Sequence, residues 1–230
     1  MHDKKKRSFL IVADGEFIST PTLVKRAQNK VVVALDRASE RLLDIGILPD
    51  IVIGDFDSIQ DKQRWGIDLT KLNTEQEFTA QISMKTVQMV YRPDQHETDF
   101  FKAIRYIDTL NPIDIHIVCA LSSRRLDHLL NNIRALRVFY QKMRPIYFYT
   151  VVQKAFYVKN DTIHIDGKIG DTCGILGFPS ACFSSKGLKY NGKKFPLTFG
   201  FSESVANQLV SQKAIIDIEG EALFIQEDQG

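Results

Sequence analysis

The chain has 230 residues, 44% of them apolar and 25% charged, with 30 Lys and Arg against 28 Asp and Glu for a net charge of +2. Such a chain buries a real core, which excludes intrinsic disorder, and its near balance of charge argues against a dedicated nucleic-acid or polybasic membrane binder. The length fits one large domain or two modest ones. After the basic head Lys4-Lys5-Lys6-Arg7, the apolar run Phe9 to Ala13 is too short for a secretory leader. No stretch approaches the ~18 apolar residues of a membrane span, and a cytoplasmic protein is expected. Cys119, Cys173 and Cys182 form neither a CxxC pair nor a zinc spacing, and reduced thiols are the expectation.

Taken in chain order, short apolar runs at Phe9–Ala13, Val31–Leu35, Ile51–Ile53, Met84–Val90, Ile113–Ala120 and Ile146–Val152 read as strands. Helical periods lie between several of them. Asp36–Ile45 places Ala38, Leu42 and Ile45 on one face and stops at Gly46. Thr98–Leu110 opens on Thr98 as an N-cap and sets Phe100, Ala103, Ile104 and Ile107 at helical spacing, and Leu126–Tyr140 repeats the pattern with Leu126, Leu129, Leu130, Ile133 and Leu136. This alternation predicts an α/β domain with a mainly parallel sheet over residues 1–153. From 154 to 230 the segments become short, alternating and punctuated by glycine. Ala214–Ile218 and Ala222–Ile225 read as a hairpin turning at Glu219-Gly220-Glu221, with one helix near Val205–Ser211. An all-β domain, a sandwich, is expected there.

Three places carry chemistry. At the first, the strand Ile51-Val52-Ile53 ends in Gly54 and then presents Asp55 and Asp57. In an extended chain, side chains two apart point the same way, so both carboxylates would converge at the carboxyl edge of the sheet, where open α/β sheets bind ligands. Either they hold a hard cation such as Mg²⁺, or they form a solvated Asx turn. The second is Asp99, in the first turn of a helix behind Thr98, where an acid also suits the helix dipole. The third is Ser122-Ser123-Arg124-Arg125-Leu126-Asp127-His128, a polar strand-to-helix turn with hydroxyls and guanidinium groups suited to phosphate. No P-loop, GxGxxG or GxSxG is present, so a nucleotide would be held by metal and arginines.

In this order, Gly54-Asp55-Phe56-Asp57-Ser58, Asp94-Gln95-His96-Glu97-Thr98-Asp99-Phe100 and Arg125-Leu126-Asp127-His128 resemble the motifs of the thiamin pyrophosphokinases. Ser185-Lys186-Gly187-Leu188-Lys189-Tyr190, Phe199-Gly200 and Ser204-Val205-Ala206-Asn207 are similar to that family's C-terminal segments, so the likeness runs from about Phe9 to Ile225. The resemblance implies an α/β domain and a β-sandwich domain in a homodimer whose site is shared between subunits. It implies transfer of the pyrophosphoryl group of ATP to the hydroxyl of thiamine, with Mg²⁺, giving thiamine diphosphate and AMP. It makes Asp55, Asp57, Asp99 and Asp127 the catalytic acids, with Asp55, Asp57 and Asp99 on the metal. It puts Asp36, Arg41, Ser123, Arg124, Arg125 and Asp127 at the ATP phosphates, and Gln95, Tyr190, Ser204 and Asn207 at thiamine. Asp99 and Asp127 remain alternative acceptors of the hydroxyl proton.

The chain departs from the family pattern at two glycines, replaced by arginine in Asp36-Arg37-Ala38-Ser39 and Ser123-Arg124-Arg125. These arginines either supply charge to the polyphosphate or crowd its pocket. A pyrophosphokinase for another hydroxymethyl heterocycle, such as a pterin, and a non-catalytic thiamine- or nucleotide-binding protein are the competing functions.

Overall fold

A computed structural model describes residues 6–121 and 125–228. The chain divides into two compact units, Met1–Ile146 and Tyr147–Gly230. Among the described residues no helix is long and apolar enough to cross a membrane.

The first unit follows the strand–helix alternation. In chain order it contains β1 (Phe9–Val12), α1 (Thr20–Ala27), β2 (Val31–Leu35), α2 (Ala38–Asp44), β3 (Ile51–Gly54), β4 (Gln76–Ile82), β5 (Lys85–Tyr91), α3 (Asp99–Asp108), β6 (Ile115–Val118) and α4 (Leu126–Val138). The sheet order is β6-β1-β2-β3-β5-β4, parallel except for β4, which runs antiparallel to β5 as a hairpin at the edge. Every residue of β1 and β3 is buried, as a sheet covered on both faces requires. The edge strand β4 alternates between exposed and buried positions, and so carried no continuous apolar run to betray it.

Helix α3 buries Phe100, Ala103, Ile104 and Ile107, the face its spacing predicts. Each large side chain among them contributes about 1.5–3 kcal/mol of transfer free energy. Thr98 occupies the N-cap position, but its Oγ1 makes no capping bond and is buried without a partner. Helix α4 keeps only Leu136 of its predicted face fully buried. Leu126 and Leu130 are exposed, Leu129 and Ile133 are half-buried, and the buried positions are Asn132, Ala135 and Leu136. The orientation is set by a polar contact invisible to apolar periodicity: buried Asn132 donates from Nδ2 to the carbonyl of Ala120 at 2.8 Å.

Strand β7 (Ile146–Tyr149) runs antiparallel to β8 (Gln153–Asp166) through Phe148 and Tyr149. The rest of the second unit is β9 (Thr172–Lys186), β10 (Phe195–Thr198), β11 (Glu203–Gln208) and β12 (Lys213–Glu227), in the order β10-β9-β12-β8 with β11 also on β9, all antiparallel. One long strand, β9, thus takes β11 along its first half and β10 along its second. Ile175, Phe183, Leu188, Leu197, Leu209, Ile216 and Phe224 form the core of this β-sandwich domain.

Two expectations fail here. Residues 214–225 are not a hairpin but one continuous strand, β12, with a bulge at Glu219–Gly220 opposite Asn160. Asn160 Oδ1 accepts the Gly220 N–H at 2.7 Å, and Gly220 takes φ +100 where a Cβ would lie 2.7 Å from the carbonyl oxygen of Ser180. Glycine there makes a close approach and a bulge rather than a turn. Nor is there a helix at 205–211. Strand β11 ends at Gln208 and is held to β9, because unsatisfied edge groups on β9 outweigh the weak helical spacing of that segment.

Candidate active site

The carboxyl edge of the parallel sheet is where the acids gather. Strands β2, β3 and β6 are each followed within two residues by a non-glycine residue in the left-handed region: Asp36 at φ +43, Phe56 at +62 and Cys119 at +59. Such conformations cost of order 1 kcal/mol or more and persist where surrounding structure enforces them. Phe56 is fully buried against Phe78 and Tyr91. Asp55 and Asp57 therefore converge because the chain turns at Phe56, not because an extended strand presents both on one side.

Carboxylate oxygens of Asp36, Asp55 and Asp57 lie within 4.8 Å of one another. Asp55 Oδ1 accepts the Asp57 N–H at 3.1 Å, an Asx turn, while Oδ2 accepts from Gln95 Nε2 at 2.8 Å. The turn and the cluster thus coexist. Asp36 accepts on Oδ2 from both the backbone N–H and the hydroxyl of Ser58, while its Oδ1 is buried with no partner. Gly54 makes room for it, since a Cβ there would sit 3.2 Å from the Asp36 side chain. Burial, aided by the charges of Asp99 and Asp55, pushes the Asp36 carboxyl up to about 7 against the opposing Ser58 hydrogen bond. For Asp55, burial acts to raise the pKa, but the hydrogen bonds from Gln95 and Asp57 outweigh it and hold the group below its ordinary value.

These residues line a cavity of about 600 Å³ together with Asp99, Lys102 and Arg37. Asp99 stands in the first turn of α3, and Lys102, one turn on, donates to Asp99 Oδ1 and to the Arg92 carbonyl, both at 2.9 Å. Burial raises the pKa of Asp99, and Lys102 opposes that shift. Lys102 is nearly inaccessible, with 7% of its side chain exposed. No motif singled it out. The signal was its position one turn after an acid on a helix whose neighbours are apolar. Ser58 was missed likewise. On the same wall, burial pushes the Cys119 thiol up to about 11, leaving it protonated and unreactive.

Not all the predicted acids and arginines meet. The three converging carboxylates include Asp36, expected at the phosphates, while Asp99, expected on the metal, is ion-paired to Lys102. Asp127 is exposed on α4 and held by Arg125 through two hydrogen bonds of 2.9 and 2.7 Å, which keep its carboxyl well below the usual range. It is absent from the cavity wall, where Arg125 does appear. Arg41 pairs with Asp14 at 2.8 Å, stacks on Phe17 and lines a smaller cavity beside α2. Ser123 and Arg124 lie outside the described residues.

In the β unit, Asn207 is buried with every polar atom of its side chain engaged. Oδ1 accepts from Tyr190 N at 3.0 Å and Gln208 N at 2.9 Å, and Nδ2 donates to Tyr190 O at 2.8 Å and Ser204 Oγ at 3.2 Å. It pins the Leu188–Tyr190 segment to β11. The Tyr190 ring is exposed, with the Lys189 ammonium 5.5 Å from its centroid.

Fold and site define the class: an α/β unit with a carboxylate-rich cavity at the carboxyl edge of its sheet, carried on one chain with an antiparallel β unit. Residues 23–148 match the family model of the thiamin pyrophosphokinase catalytic domain, and residues 160–223 that of the thiamin pyrophosphokinase vitamin B1 binding domain. The chain belongs to the thiamin pyrophosphokinase family. It is 28% identical over 127 residues to the thiamine pyrophosphokinase of Bacillus subtilis strain 168, a stretch covering 55% of this chain and 52% of that relative. The match thus spans about half the relative's length. In fold, it is similar to the Bacillus subtilis enzyme structure (TM-score 0.78, 21% identity, 97% of this chain and 100% of that one). It is also similar to the thiamin pyrophosphokinase from Candida albicans (0.76, 17%, 97% and 90%) and to that from yeast (0.75, 18%, 98% and 87%).

Proposed function

We propose that this chain transfers the pyrophosphoryl group of ATP to the hydroxyl of thiamine, releasing AMP and thiamine diphosphate. The observation that carries the reading is the convergence of Asp36, Asp55 and Asp57, with one Asp36 oxygen buried without a partner, on a chain that also matches the vitamin B1 binding domain. A buried carboxylate oxygen without a donor suits a hard cation. Oxygens within 4.8 Å of one another are close to the spacing that ligands ~2.1 Å from Mg²⁺ adopt. Asp36, Asp55 and Asp57 would hold Mg²⁺, which when bound neutralises polyphosphate charge.

The chain's own residues do the rest. Gln95, bonded to Asp55, fixes that carboxylate's orientation. Asp99, on the cavity wall with its pKa raised by burial, accepts the proton of the thiamine hydroxyl. Asp127, acidified by Arg125 and off that wall, suits the role poorly. With Asn207 holding its backbone, Tyr190 offers an aromatic face to the cationic thiazolium of thiamine. A homodimer with a shared site and a cytoplasmic setting belong to the same proposal; the first rests on the family alone, the second on the sequence.

The test is to incubate the purified chain with ATP, Mg²⁺ and thiamine and to separate the products. AMP and thiamine diphosphate should form in equal amounts, with no product when a hydroxymethyl pterin replaces thiamine. Pterin diphosphate, or ADP with thiamine monophosphate, would overturn the reading.

A further inference from the structure

Six carboxylates, Asp14, Asp36, Asp55, Asp57, Glu97 and Asp99, line the sheet-edge cavity, and the cations around them are mostly engaged. Lys102 is spent on Asp99 and the Arg92 carbonyl, and Arg125 is spent on Asp127. Arg37, the residue directly after Asp36, is exposed; its backbone carbonyl accepts from Glu40 and Arg41 as α2 begins, but its guanidinium makes no hydrogen bond or ion pair among the described residues. Its side chain borders both this cavity and the neighbouring one of about 200 Å³ beside α2, where Glu40, Asp44 and Asp61 also stand. Glu40 is occupied in accepting the Gln60 and Asp61 backbone N–H groups, and neither Asp44 nor Asp61 forms an ion pair with Arg37.

A guanidinium left free at the rim of an acidic, cation-binding cavity has a chemical purpose when the ligand brings its own negative charge. A planar fork of donors then meets phosphate oxygens that the metal side leaves uncovered. We propose that Arg37 is a specificity-determining residue that contacts the β- and γ-phosphates of the incoming nucleoside triphosphate. The assignment rests on the functional reading above and adds to it. Because the pyrophosphoryl group departs with the acceptor, the product AMP lacks the phosphates that Arg37 grips. The residue therefore favours substrate over product at the nucleotide site. Its exposure also means that replacing it removes no packing from the fold.

Calorimetric titration of Mg²⁺-ATP and of AMP, without thiamine so that nothing turns over, reads this directly in wild type, Arg37→Gly and Arg37→Lys. Arg37→Gly should loosen ATP about tenfold and leave AMP within twofold. Arg37→Lys should fall between wild type and Arg37→Gly, since an ammonium keeps the charge but not the fork. Unchanged ATP affinity in Arg37→Gly overturns the proposal. So does an equal loss for ATP and AMP, which would move Arg37 to the nucleoside end. A folded wild-type chain that binds no ATP overturns the pyrophosphokinase reading itself, an outcome distinct from either.

Discussion

Asp36 accepts two hydrogen bonds from Ser58 on one oxygen and none on the other, in a left-handed backbone conformation and almost out of solvent. Its folded pKa of about 7 lies above the unfolded value near 3.9. Without metal, the folded protein therefore holds a proton that the unfolded chain gives up across that interval. The stability this contributes is fully present below pH ~4 and is lost as pH rises toward about 7. In chelator, the melting temperature should fall between pH 5.5 and 7.5, and less so in Asp36→Asn; the same fall in both proteins would remove Asp36 from the account. Asp55 and Asp57 were legible as a pair from their spacing and from the strand before them. Asp36 as their third member was not, since its approach depends on a turn at Phe56 and on space left by Gly54.

At the scale of elements, α3 shows what apolar spacing can and cannot say. Its buried face was readable, but the reason one of its buried residues is a lysine was not. Replacing Lys102 by Met leaves Asp99 largely buried without its partner, and removing one member of such a pair costs on the order of 3 kcal/mol. A melting temperature lower by roughly 6–12 °C is expected for a chain of this size. Asp99→Asn combined with Lys102→Met should recover most of it, and a single variant as stable as wild type would contradict the pairing. The misread elements share one cause. The bulge of β12, the strand β11 and the rotation of α4 are all decided by contacts distant in sequence: Asn160 to Gly220, β11 to β9, and Asn132 to Ala120. Helix α1 shows no such conflict, since Ser19 caps it and Pro21 sits in its first turn, but its eight residues hold a single buried side chain, Leu23, too little to show as periodicity.

For the whole molecule, the near-zero net charge is a poor guide beside the placement of the charges. Six acids sit around one sheet-edge cavity, with Arg37 and Arg125 on its wall and Arg41 beside α2. Fold class and family were legible because the motifs at successive strand ends stand in order along the chain. The ligand geometry was not, because three strands finish in conformations no spacing rule anticipates. The central claim is that the carboxylate cluster drives pyrophosphoryl transfer. It is tested most directly by measuring AMP release from ATP with thiamine and Mg²⁺ in Asp57→Asn beside wild type. The expected loss is at least a hundredfold, with melting temperature and circular dichroism unchanged. A folded Asp57→Asn that releases AMP at the wild-type rate would contradict it.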